Sequence, residues 1–98
     1  IADSKAEIDA ALFMTLHAAW KMDRKLDARV EISLIKFFGA RVLHDVIDRA
    51  IQAHGALGIS GDTPLELFYR DARAARLYDG PDEVHRMVVA RRILRQFQ

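Results

Sequence analysis

The chain has 98 residues, 51% hydrophobic and 30% charged, with no cysteine and a formal charge of +1. At this length one domain is the ceiling, roughly 60–65% of the unfolded surface is available for burial, and the apolar content excludes a disordered chain. The lack of cysteine excludes a disulfide framework and thiolate metal sites and fits the cytoplasm, while no apolar run approaches the ~18 residues of a membrane span, so neither a membrane span nor a signal peptide is expected.

The near-neutral total hides an asymmetry. Residues 1–69 carry 8 Lys/Arg against 10 Asp/Glu, and residues 70–98 carry 7 Arg against 4 acids. The first residue is Ile1, and the expectation is a fragment of a longer chain.

Ser4 and Glu7 read as a capping box, followed by Ile8, Leu12, Thr15, Leu16, Ala19, Met22 and Leu26 at three- and four-residue steps. The spacing predicts an amphipathic helix over 4–27, with Phe13 and Trp20 off its main stripe. A second helix is predicted over 29–54. It is apolar on nearly every side, which marks a central helix, and Gly39 within it suggests close helix packing. Its apolar surface exceeds what modest neighbours can cover, so a further partner is expected.

Residues 55–64, "GALGISGDTP", form the loop. Thr63, Pro64 and Glu66 then open a third helix predicted over 64–78, and Pro81, Asp82 and Glu83 open a fourth over 81–96. There is no strand candidate and no internal repeat. The prediction is an all-α, up-down helical bundle forming a single domain over 1–98.

Two places could carry chemistry. Gln52, His54, Gly55 and Gly58 offer side chains and open backbone able to bond phosphate or ribose oxygens, although glycines after a helix also serve as C-caps and turns. Asp79, in "RLYDGPDEVHR", is either an N-cap of the last helix or a general base projecting from a corner with little bulk beside it. Arg70, Arg73 and Arg76 share a helix side, with Asp71 expected to pair with one of them. They compose a solvated or inter-subunit face rather than a nucleic-acid site, since Tyr69 and Tyr78 do not interleave them. His17, His44, His54 and His85 lack the partners a metal requires.

The ordered run "IDRAIQAHGALGISGDTPLELFYRDARAARLYDGPDEVHRMVVARRIL" resembles the C-terminal helical domain of the acyl-CoA dehydrogenases, with its Q-x-x-G-G-x-G loop, Y-R-D-A-R helix, Y-E-G-T corner and final V-A-R. The helices around "AAWKMD" and "ISLIKFFGARVLHDVIDRAIQ" are compatible, so the resemblance covers essentially the whole chain. It implies a flavoprotein that removes the α-proton of an acyl-CoA while FAD accepts the β-hydride. Asp79 stands at the base position, one methylene shorter than glutamate, with Tyr78 and Gly80 beside the thioester and Gly80 leaving it room. Gln52, Gly55 and Ala56 match the loop that contacts FAD of an adjacent subunit, with Ala56 replacing the second glycine. Pro81 replaces a threonine and removes a hydroxyl and an N–H. Asp82 and Glu83 stand where other members touch FAD. The resemblance further implies a homo-oligomer, dimer or tetramer, and an electron-transfer flavoprotein as acceptor. It implies that a first helix of this domain and two further domains precede Ile1, so the 98 residues alone are expected to be inactive. The competing expectation is a stand-alone helical oligomerisation or interaction module descended from that domain.

Overall fold

A computed structural model describes residues 1–98, and its regular structure is entirely helical. Helix α1 spans Ala2–Asp23, α2 Arg29–His54, α3 Ala56–Ile59, α4 Leu65–Ala74 and α5 Asp82–Leu94, with a closing 3₁₀ turn at Arg95–Phe97.

The central element is α2, about 39 Å long at 1.5 Å per residue. Its N-terminal half meets the end of α1 through the Lys21–Glu31 ion pair. Its C-terminal half meets the start of α1 through Arg49, which donates to both carboxylate oxygens of Glu7 at 2.8 and 2.9 Å. The two helices are therefore antiparallel. On the other side, His44 packs on Tyr69 of α4, Lys36 reaches Ala75, Ser33 meets His85 of α5, and Asp27 just before α2 pairs with Arg92. As residue numbers rise through α4 and α5, their partners near α2 fall. The third leg of this all-α bundle is thus two helices in tandem, both antiparallel to α2, and residues 75–81 form the joint between them.

Helix α1 packs on α2 alone. Ala18 is buried at this contact while Phe13 and Trp20 stay exposed. Close approach is achieved with small side chains: Ala18, Ala28, Ala40, Ala72 and Ala75 make up most of the buried apolar set. The body measures 52 × 23 × 22 Å with a radius of gyration of 16.0 Å, against about 13 Å for a typical compact domain of this size. Its accessible surface is 7079 Å², whereas a monomer of this mass ordinarily exposes about 5,700 Å².

Several local expectations are corrected. Ser4 and Glu7 lie inside α1 and do not cap it, because tertiary contacts with Arg49 take both side chains. The loop 55–64 contains the short helix α3. The third helix ends at Ala74, not 78, and is entered through Pro64 without a side-chain cap; the hydroxyl of Thr63 has no partner. Asp71 makes no ion pair; Arg76 instead reaches forward to Asp82. A Cβ on Gly39 would meet nothing within 4 Å, so this glycine borders open space and not a tight helix crossing.

Candidate functional site

The joint between α4 and α5 places Asp79 and its neighbours. Asp79 has φ 53° and Gly80 φ 89°, so consecutive residues occupy the left-handed region and the chain reverses sharply. Only one of them is glycine. A left-handed non-glycine residue is strained, and aspartate tolerates it better than most.

The strain is held by a ring of contacts. Asp82 is 1% exposed, and its backbone N–H donates to the carbonyl of Arg76 at 3.1 Å. Arg76 Nε donates back to Asp82 Oδ2 at 3.1 Å, and Arg86 lies 4.0 Å from the same oxygen. From α2, Lys36 Nζ donates to the carbonyl of Ala75 at 2.7 Å and to that of Gly80 at 3.4 Å, and stands 5.4 Å from the centre of the Tyr78 ring. His85 Nε2 lies 3.0 Å from the carbonyl oxygen of Asp79. Oδ2 of Asp82 closes the corner, while its buried Oδ1 has no partner.

The side chain of Asp79 is treated differently. It is exposed, with no hydrogen bond and no ion-pair partner, and it does not cap α5, whose N-cap is Pro81. Beside it, half-exposed Tyr78 borders two apolar grooves along α2. One, of about 390 Å³, is lined by Ile32, Ile35, Lys36, Gly39, Leu43 and Ala75 among others; the second, of about 350 Å³, by Leu43, Ile47, Phe68, Asp71 and Ala72. The joint thus presents an unpartnered carboxylate one residue from a tyrosine that borders two largely apolar grooves.

The room expected beside Gly80 is partly filled. A Cβ there would lie 2.8 Å from His85 Nε2, so the missing side chain makes space for the imidazole. Sequence reasoning set His85 aside as a non-ligand and missed this contact; its other partner, Ser33, lies 52 residues away, beyond any local pattern.

Gln52, Gly55 and Ala56 lie elsewhere. They are exposed at the C-terminal end of α2, sixteen residues beyond Lys36, or about 24 Å along the helix axis. Gly55 has φ 62° with nothing within 4 Å of a Cβ position, while Gly58 lies against the backbone of Ile51 and seats α3 on the end of α2. His54 turns back to the carbonyl of Ala50 at 2.7 Å. Glu83 is exposed on α5, 3.6 Å from Arg86. The structure brings Tyr78, Asp79 and Gly80 together with Glu83 following on α5, and keeps the Gln52–Ala56 group apart from the corner. No group of three side chains that could hold a metal ion occurs, and no helix is long and apolar enough to cross a membrane.

Residues 1–94 match the family model described as the acyl-CoA dehydrogenase C-terminal domain, and the chain belongs to that family. It is 50% identical over 93 residues to the probable acyl-CoA dehydrogenase FadE2 of Mycobacterium tuberculosis, covering 93% of this chain and 23% of that protein. It is 38% identical over 95 residues to (R)-benzylsuccinyl-CoA dehydrogenase of Thauera aromatica, covering 96% of this chain and 23% of that one. A solved chain described under the electron transferring flavoprotein of Acidaminococcus fermentans superimposes with a TM-score of 0.91 at 31% identity, over 96% of this chain and 25% of its own length. The 98 residues therefore span about a quarter of the length of these relatives.

Proposed function

We propose that this chain is the C-terminal domain of a flavin-dependent acyl-CoA dehydrogenase and that Asp79 is the base that takes the α-proton of the acyl-CoA. The observation that carries this reading is the division of labour at the joint: Asp82 is buried and paired, whereas Asp79 is exposed and unpaired in a strained turn beside an apolar groove. A structural carboxylate would be expected to have a partner, and a base needs a free lone pair within reach of a C–H bond. Tyr78 and Gly80 flank the thioester in this reading, and the groove along α2 accepts part of the acyl chain.

Segment 52–60 fits a nucleotide approach: Gly55 leaves its Cβ side open, and no carboxylate lies within the segment to repel a pyrophosphate. Gln52, Gly55 and Ala56 would hold FAD there, with Glu83 near a flavin at the other end. Bound FAD supplies the acceptor for the β-hydride. Asp79 takes the α-proton as the C–H electron pair becomes the new double bond. The ~24 Å between the two groups supports their serving different FAD molecules, and hence a homo-oligomer. An electron-transfer flavoprotein is the proposed acceptor. The 98 residues alone, with a quarter of their relatives' length, are expected neither to retain FAD nor to turn over substrate.

The test is steady-state oxidation of acyl-CoA by the full-length protein carrying Asp79→Asn. Loss of turnover with the bound-flavin absorbance intact supports the reading, and wild-type turnover removes it. The excess exposed surface also favours a second reading, a helical assembly module without catalysis, for which Asp79→Asn would change nothing.

A further inference from the structure

We infer that His85 is a positioning residue for the base, acting through the main chain of Asp79; this rests on the assignment of Asp79 above. A carbonyl oxygen can only accept, so Nε2 of His85 carries the proton and donates to the Asp79 carbonyl at 3.0 Å. In that tautomer Nδ1 accepts, and the hydroxyl of Ser33, 3.3 Å away, donates to it. Ser33 is 5% exposed in the central helix, so the relay runs from rigid α2 through the imidazole to the peptide unit that orients the Asp79 carboxylate.

Two features make this more than a surface contact. Asp79 sits at φ 53°, a conformation that persists only when neighbours over-determine it, and His85 holds the carbonyl that must stay rotated for that turn to exist. Gly80 is shaped to the imidazole, since a Cβ there would come within 2.8 Å of Nε2. Lys36, also from α2, holds the next carbonyl, that of Gly80, at 3.4 Å. Removing His85 frees the one tie made directly to the Asp79 carbonyl, so the carboxylate samples orientations away from the α-carbon while the groove that binds the acyl chain is untouched. The loss belongs in kcat and not in KM.

The experiment uses the full-length protein with its flavin, comparing His85→Ala, His85→Gln, Ser33→Ala and the double variant H85Q/S33A, with bound-flavin absorbance as the check on folding. The readouts are kcat, KM and the isotope effect for α-deuterated acyl-CoA. His85→Ala is expected to lower kcat about tenfold or more, since small misplacement of a reacting group is costly, with KM little changed and the isotope effect increased. His85→Gln, whose amide N–H reaches a similar point, restores most of the rate. Ser33→Ala lowers kcat in the presence of His85 but adds nothing in the H85Q background. Unchanged kcat in His85→Ala, or equal loss in His85→Ala and His85→Gln, overturns the proposal. If His85→Ala sheds its flavin, the H85Q and S33A pair decides. Asp79→Asn run alongside separates the two failures: inactivity there with an unaffected His85→Ala removes only the positioning role, whereas activity there removes both.

Discussion

Arg76 and Asp82 are joined twice, once through the backbone and once through their side chains, both at 3.1 Å. The two bonds close a loop whose interior is residues 77–81, so the position of Asp79 depends on a clasp that lies outside the proposed chemistry. Arg76→Ala leaves the Asp82 carboxylate buried with only the more distant Arg86 beside it. Because the Arg76 side chain is 35% exposed, the cost is expected at the low end for a broken buried pair, about 2–3 kcal/mol. A lowered thermal midpoint in the full-length protein, accompanied by reduced kcat, is the expected result.

Three carboxylates predict how stability responds to acid. The Arg49 hydrogen bonds hold Glu7 below the ordinary carboxylate range, the backbone N–H of Arg29 and then Arg92 do the same for Asp27, and Lys21 does so for Glu31. A depressed native pKa means the unfolded chain binds protons first as pH falls. The contribution is therefore complete above the ordinary carboxylate range and is lost as pH drops through the lowered native values. Thermal midpoints measured from pH 7 to pH 3 should fall over that lower range, and Glu7→Gln should flatten part of the slope.

Gly58 ties the proposed nucleotide loop to the helix end. A Cβ there would lie 2.7 Å from the carbonyl oxygen of Ile51 and 2.9 Å from its Cα, backbone atoms that cannot swing aside. Gly58→Ala is expected to lift α3 away from α2 and displace Gly55 and Ala56. The full-length protein should lose FAD more readily on dilution or gel filtration, whereas Gly61→Ala, where a Cβ meets only the tip of Glu66 at 3.9 Å, should not.

Helix α1 depends on one interface, and Ala18 is 2% exposed within it. Ala18→Leu adds three carbons where no space exists and should cost about 1–3 kcal/mol. Cleavage within α1 by limited proteolysis should accelerate while α2 and α5 remain protected.

The central helix was legible because its signal is local: 26 residues without proline, apolar on several sides, gave the span from Arg29 to His54. The corner was legible as a position, through Asp79, Gly80 and Pro81, but its wiring was not. Ser33 and His85, Lys36 and Gly80, Arg49 and Glu7 meet across 42 to 52 residues, and no periodicity encodes such pairs. The same non-local contacts overrode the capping box at Ser4, whose hydroxyl accepts from Arg49 at 3.3 Å. Helix α3, with four residues, is too short to show a period, and Gly58 within it and Gly55 before it read as a loop. Family resemblance supplied the roles proposed for Gln52, Gly55 and Ala56, which periodicity and composition alone would have left as a turn.

The most direct test of Asp79 as the base is anaerobic rapid mixing of the full-length protein with acyl-CoA, following flavin absorbance in wild type and Asp79→Asn. With Asp79 as the base, the wild type bleaches fast and the variant keeps a bound but unbleached flavin. Bleaching at the wild-type rate in Asp79→Asn would contradict it, and the unpartnered carboxylate at the joint would then not be the base.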